Sequence, residues 1–123
     1  MRYMMLCYDD AKHWERVGEG ARQEAMKEAV SLTHELHAKG QYILASPLQP
    51  PATAVSVRVR EGKPLVTDGP FAETREHLGG FYLINADNLD DALAIAARHP
   101  GARTGTVEVR PIMEITGLPA GNS

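Results

Sequence analysis

The segment Leu65-Val-Thr-Asp-Gly-Pro-Phe-Ala-Glu-Thr-Arg-Glu-His-Leu-Gly-Gly-Phe81 decides how the chain is organised. It places an acid, two turn-forming residues and an aromatic, residues 68–71, directly after one apolar strand pattern, and a glycine pair at the start of another. Helical or strand periodicity does not require such a unit, because Gly and Pro interrupt both. We therefore expect this segment to join two strands and to hold whatever site the protein has.

The composition is that of an ordinary globular protein with one domain. The chain has 123 residues, 43% of them hydrophobic and 24% charged, and its net charge is −3 with Lys and Arg scattered. Without a basic stripe, nucleic-acid binding is not expected. No apolar run approaches the roughly 20 residues of a membrane span, and the N-terminus lacks the pattern of a signal peptide. We expect a cytoplasmic protein that neither enters membranes nor binds nucleic acid.

Two residues near the N-terminus have alternative interpretations. Cys7, the single cysteine, lies inside an apolar strand pattern and is expected to be a buried, inert thiol. Trp14 falls in residues 9–19, which are polar and predicted to be irregular. We expect its ring to fill a gap at the edge of the sheet, the alternative being that it covers the mouth of a pocket.

Hydrophobic periodicity and turn signals give the order strand, helix, strand with hairpin, strand, helix, strand. The strands are predicted at 3–8, 41–46, 53–60, 64–67, 80–85 and 106–115, and the helices at 20–39 and 89–98. In the second helix the expected apolar stripe is Leu89, Ala92, Leu93 and Ala96, with Asn88 or Asp87 as the N-cap.

This order predicts an α+β fold of the ferredoxin-like βαββαβ type, spanning residues 1–116, followed by a loose tail at 117–123. Right-handed crossovers put both helices on one face of an antiparallel sheet. The other face keeps apolar side chains that a monomer would expose to water. A homodimer that packs these two faces together around a C2 axis is therefore expected.

Several motifs in the chain resemble the DGPF-motif branch of the YCII-related family. They are DGPF at 68–71, AETRE at 72–76, LGGFY at 78–82 and VEVRP at 107–111. The resemblance covers nearly the whole chain and implies a dimeric α+β barrel, in agreement with the predicted order of elements. It implies no established biochemical role, since that role is generally not known for the family.

Some members of the wider superfamily resemble enzymes that use a His–Asp pair in a pocket of the barrel. In this chain Asp68 matches the aspartate, whereas the early part of the first helix, where the histidine is expected, carries none. His34 and His37 lie further along that helix and are the residues that could take its place.

The role of Asp68 has two interpretations, one structural and one functional. As a structural residue it opens a turn and accepts hydrogen bonds from the turn's own amides. As a functional residue it is a general base or ligand contact whose pKa is tuned by Arg58, Arg75 or His77. Gly69 and Pro70 are expected to shape the loop, and Phe71 to anchor it in the core or the dimer interface.

Further candidates for ligand binding lie on the strands and in the loop. Arg75 and His77 suit an anionic molecule, and Tyr82, Arg58 and Arg110 are expected to line the barrel interior, where Glu108 can pair with an arginine. The histidines do not form a zinc or iron motif, so we predict no metal and no cofactor.

Two functions remain open, and the sequence does not decide whether the protein is an enzyme. One is acid–base catalysis on a small polar or aromatic molecule, with Asp68 as the leading group. The other is a non-catalytic protein that binds a small ligand or serves as an accessory to a regulatory system.

Overall fold

The structure, a computed structural model, describes residues 1–119 and has the predicted ferredoxin-like α+β architecture. The strands are β1 (Arg2–Asp9), β2 (Tyr42–Pro47), β3 (Val55–Arg60), β4 (Lys63–Asp68), β5 (His77–Asn85) and β6 (Thr106–Pro111). The helices are α1 (Ala11–Ala38), α2 (Leu89–Ala97) and the short α3 (Gly101–Thr104), and a 3-10 turn spans Pro51–Thr53. The last four residues of the predicted tail, 120–123, lie outside the described residues.

The main sheet has the strand order β2-β5-β1-β6 and is antiparallel throughout. Its register sorts side chains onto two faces, since successive residues of a strand alternate. Met5 pairs with Tyr82 and with Val109, and these side chains meet the helices. Met4 pairs with Leu83 on the opposite, open face, where the apolar residues are only partly buried. The predicted one-sided helical layer is confirmed.

Helix α1 is longer than predicted and is kinked. Asp10 caps it, its Oδ1 accepting the Lys12 N–H at 2.9 Å, so the segment predicted to be irregular begins a helix instead. The prediction of an irregular 9–19 segment is therefore wrong. Gly18 then interrupts the helix with φ of 86°, a left-handed conformation that glycine adopts without a Cβ clash. Beyond it, Leu32 and Leu36 lie four residues apart on one face of the helix and are buried in the core.

The β3–β4 hairpin forms a sheet of its own rather than a strand pair of the main sheet. Glu61 and Gly62 make its two-residue turn with φ of 51° and 75°, as a hairpin with a primed turn requires. Val55, Val57 and Val59 alternate along β3, but they are 61–66% exposed. An isolated two-stranded hairpin is at best marginally stable in water. It is therefore unusual for such a hairpin to expose a whole face of valines to solvent.

The second half of the chain differs from the prediction in detail. Asn88, the first of the two proposed caps, accepts the Asp91 N–H at 2.9 Å. The buried stripe of α2 is Ala92, Ile95 and Ala96, whereas Leu89 and Leu93 are about half exposed, so the predicted stripe is rotated by roughly one residue. α3 was not predicted. Within residues 1–119, no helix has the length and apolar character needed to cross a membrane.

Candidate functional site

A cavity of about 290 Å³ lies between α1 and the helix-facing side of the sheet. Its position follows from side-chain size. Where α1 presents Leu32 and Leu36 the layers close into a core, but Ala25 and Ala29 face the end of β5 that carries the Gly79–Gly80 pair. Small residues on both layers leave a space that no side chain fills. The lining is mostly apolar and includes Trp14, Met26, Val30, Ala45 and Pro47.

The inner wall of the cavity carries three ionisable groups that burial keeps neutral. The Tyr82 hydroxyl donates to the Ala29 carbonyl at 2.8 Å, and burial raises the pKa of this phenol. Burial, assisted by the nearby Asp9 charge, raises the pKa of the Cys7 thiol to about 11. Burial also lowers the pKa of His99 from its ordinary value of 6.5. Near neutral pH the wall is therefore uncharged.

The contact between Cys7 and His99 does not form a nucleophile–base pair. The Gly101 N–H donates to His99 Nδ1 at 2.9 Å, so the proton of the neutral ring is on Nε2. Nε2 faces the Cys7 sulfur at 3.9 Å. A thiol with a raised pKa beside a ring nitrogen that already holds its proton has no base to activate it. The inert thiol predicted for Cys7 agrees with this geometry.

His99 gives a pH dependence with a definite sign. Its pKa is lower in the folded than in the unfolded state, so its contribution to stability is complete above pH 6.5 and is lost as the pH falls through the folded pKa. His99→Asn keeps an acceptor for the Gly101 N–H but does not titrate. We expect the urea midpoint of the wild type to fall more between pH 7.5 and pH 5.5 than that of His99→Asn. Equal falls would contradict this role.

The rim of the cavity is polar. Asp9, at the end of β1, is half-buried, and its Oδ2 accepts the Trp14 indole N–H at 2.8 Å. Trp14 thereby lies beside Asp9 in the cavity lining, and the alternative that it covers a pocket mouth stays a prediction. Arg22 completes the rim; its side chain is 54% exposed and its nearest carboxylate, Glu19, is 4.0 Å away.

Of the predicted site residues, Tyr82 lines this cavity and the others do not. Arg75 Nε lies 3.2 Å from Asp10 Oδ2, and His77 is paired with Asp9 in the sheet register. Arg58 is on the hairpin opposite Leu65, and Arg110 Nε is 3.8 Å from Glu108 Oε2 on the open face of the sheet. The pairing of Arg110 with Glu108 agrees with the structural interpretation given to them.

Asp68 ends β4 opposite Val55 and is exposed. The turn after it is held by other groups: the Gly69 N–H donates to the Ala54 carbonyl at 2.7 Å, and the Ser56 hydroxyl donates to the Gly69 carbonyl at 2.9 Å. The Asp68 carboxylate itself accepts no hydrogen bond within residues 1–119. A catalytic or ligand-binding role of Asp68 stays a prediction. The same holds for a ligand-binding role of Arg58, Arg75, His77 and Arg110.

Phe71, His34 and His37 lie on the surface of the subunit. Phe71 is 78% exposed, so within one subunit it is not a core anchor. His34 and His37 are exposed on α1 and lie outside the cavity lining. Among the described residues, no three His, Cys, Asp or Glu side chains cluster closely enough to hold a metal ion.

Asp9, Arg22 and His99 are not among the site residues predicted from the sequence. Their only sequence signal is position, because Asp9 directly follows an apolar strand pattern and His99 precedes the Pro-Gly pair that ends a helix. Such positions are common, and only the folded arrangement brings residues 9, 22 and 99 around one space.

Comparison with known proteins gives two matches. The family model for the YCII-related domain matches residues 1–116. An uncharacterised protein of Rhizobium meliloti (strain 1021) is 35% identical over 114 residues, which cover 91% of this chain and 92% of the relative. The family match at residues 1–116 includes all residues of the cavity lining and the 68–71 segment.

Proposed function

The chain belongs to the YCII-related domain family, and we propose that it is a binding protein for a small, mainly apolar molecule held between α1 and the sheet. The observation that carries this proposal is the cavity of about 290 Å³. That volume is near the lower end of the range of roughly 300–1,000 Å³ typical of ligand pockets. An apolar space of about 150 Å³ is already enough to bind a benzene ring.

The chemistry of the wall favours binding over catalysis. Cys7, Tyr82 and His99 are neutral, and the Tyr82 hydroxyl and both nitrogens of His99 already have neighbours within the protein. A general base needs an available basic lone pair, and the one on His99 Nδ1 is already used by the Gly101 N–H, while a neutral phenol and a neutral thiol are weak bases. An uncharged apolar wall with a polar rim is the usual arrangement of a ligand pocket.

Filling the cavity tests the proposal. Ala29→Phe places a ring in the space between α1 and Tyr82, so we expect affinity for any cavity ligand to fall at least about tenfold, because overlapping volumes exclude each other. The ligands are found by thermal shift and ligand-observed NMR with a panel of single-ring aromatic and branched aliphatic molecules.

The matched control for this variant is Gln23→Phe, which adds the same ring on an exposed part of α1 outside the cavity lining. Circular dichroism spectra would establish that both variants are folded. Unchanged affinity in folded Ala29→Phe would show that the ligand binds elsewhere, and a panel without a binder would count against the proposal itself.

Acid–base catalysis at Asp68 is the second candidate, and one observation favours it. The carboxylate accepts no hydrogen bond from the turn that follows, so within residues 1–119 it is not used to hold that turn. Because Asp68 lies outside the cavity lining, this candidate needs a second pocket formed between subunits. Turnover of a panel compound that is lost in Asp68→Asn would favour it over simple binding.

A C2 homodimer formed through the open face of the sheet completes the proposal. Leu83 lies at the centre of that face, with Met4 on one neighbouring strand and Leu44 on the other, and Leu44 is 51% exposed. The exposed valines of the hairpin, with Val57 at 66%, are further apolar surface available to a partner. Such a surface is typical of a protein–protein interface, and a second copy of the chain offers a matching one.

A further inference from the structure

We infer that the ligand of the cavity carries a protonated amine on its apolar body, and that Asp9 Oδ1 is the group that binds this amine. The inference rests on the proposed function and specifies its ligand class. It starts from Asp9, the one acidic side chain that residues 1–119 contribute to the cavity lining.

The two oxygens of Asp9 have different environments. Oδ2 accepts the Trp14 N–H at 2.8 Å, which fixes the orientation of the carboxylate. Oδ1 accepts no hydrogen bond from the described residues. Gly79 leaves space beside it, since a Cβ at this position would lie 3.2 Å from Oδ1. The carboxylate is therefore held in place by one oxygen and left open at the other.

No protein cation neutralises Asp9 among the described residues. Arg75 pairs with the adjacent Asp10 at 3.2 Å, and the carboxylate nearest Arg22 is that of Glu19. The charge of Asp9 reaches the cavity interior, since it contributes to the raised pKa of Cys7. A half-buried anion without a partner favours a cationic ligand, because charge-assisted hydrogen bonds strengthen as water is excluded.

Trp14 adds a second interaction for the same ligand. Its ring is held beside Asp9 by the indole hydrogen bond and lines the cavity, so it offers apolar surface to the body of a ligand whose amine binds Asp9. The competing class is a carboxylate bound by Arg22. That side chain is 54% exposed, so water and salt weaken its attraction more than that of the half-buried Asp9.

Three probes that share one body separate these classes: benzylamine, benzyl alcohol and benzoate. With the wild-type protein in calorimetry, we expect benzylamine to bind roughly tenfold or more tighter than benzyl alcohol, as hydrogen bonds to charged groups outweigh neutral ones. Benzoate is expected to bind more weakly than the alcohol, because it meets the Asp9 carboxylate.

Asp9→Asn keeps an acceptor for the Trp14 N–H and removes the charge, so the preference for benzylamine should disappear while benzyl alcohol binds as before. Asp10→Asn is the matched control, since it removes a neighbouring charge outside the cavity lining and should retain the preference. Gly79→Ala provides a second variant: it covers Oδ1 without changing charge and should also reduce the preference.

The outcomes are distinguishable. Equal affinity of the wild type for the amine and the alcohol, or tightest binding of benzoate, overturns the inference and leaves the binding function intact. Binding of none of the three probes overturns the inference too, and it also counts against the proposed function. A preference for benzylamine that persists in both Asp9→Asn and Gly79→Ala would assign the amine to another group.

Discussion

Leu83→Glu is expected to convert the proposed homodimer into a monomer, raising its dissociation constant at least about 100-fold. The side chain lies at the centre of the open face, on the middle strand of the β2-β5-β1 part of the sheet. In a C2 dimer each substitution occurs twice in one interface, so two carboxylates would be buried without partners. The loss of apolar contact adds to that desolvation penalty.

The subunit itself should tolerate this change. Leu83 points away from α1 and α2, because its register partner Met4 is on the open face while Met5 and Tyr82 face the helices. The buried core of Met5, Leu36 and Ile84 is left intact. We therefore expect the helical content of the variant to remain, and its mass to change.

Sedimentation at micromolar concentration measures the mass, and Leu93→Glu is the matched control. Leu93 is 48% exposed on α2, on the helical side of the sheet, so the same substitution should leave a dimer. A wild type of monomeric mass would contradict the dimer, and a dimeric Leu83→Glu would place the interface elsewhere, for instance on the hairpin valines.

The fold could be predicted because its signals are local. Alternation at Val107 and Val109, the helical spacing of Leu32 and Leu36, and the turn residues before Lys63 each specify an element within a few residues. The order of those elements then left few topologies once right-handed crossovers were required. The helix at residues 11–17 was not predicted because these residues lack an apolar stripe; the Asp10 cap begins it and Gly18 interrupts it.

The candidate site could not be predicted in the same way, because it is a space left where no large side chain lies between α1 and the sheet. The cavity exists where Ala25 and Ala29 face Gly79 and Gly80. The sequence shows the alanine pair and the glycine pair separately, but it does not show that they lie opposite each other in the fold. Likewise, Cys7 and His99 are 92 residues apart and meet through the fold alone. Their pKa values depend on burial and on neighbouring charges, and both are set only when the chain is folded.

The 68–81 segment keeps its importance through the residues that it positions. Arg75 is paired with Asp10, and His77 is opposite Asp9 in the register, so the segment contacts the end of β1 where the rim of the cavity lies. Gly79 belongs to the cavity wall and limits what can cover Asp9. The DGPF residues themselves lie between the hairpin and β5 in the chain and are outside the cavity lining.

Gly105→Ala is expected to destabilise the protein by about 3 kcal/mol, near the upper end of overpacking penalties. Gly105 precedes β6 and lies against the end of β1. A Cβ at this position would be 2.2 Å from the Tyr8 carbonyl oxygen and 3.2 Å from the Asp9 Cα. Both neighbours are backbone atoms of a central strand, so a rotamer change cannot relieve the overlap, and β1 or β6 must move.

The control is Gly20→Ala, the same substitution inside α1 with open space around the new methyl group. It should be neutral or should stabilise by up to about 1 kcal/mol, because alanine has the higher helix propensity. Urea denaturation of the three proteins gives the comparison. A Gly105→Ala midpoint equal to that of the wild type would show that the close approach of residues 8, 9 and 105 is incorrect.

Gly105→Ala also links stability to the candidate site. Displacing the end of β1 moves Asp9 and, through its hydrogen bond, Trp14, which together form one side of the cavity rim. At temperatures where the variant is still folded, we expect its affinity for benzylamine to fall while Gly20→Ala binds as the wild type does. Because the new methyl group is next to Asp9 and outside the cavity lining, such a loss would come from displacement of the rim and not from filling of the pocket.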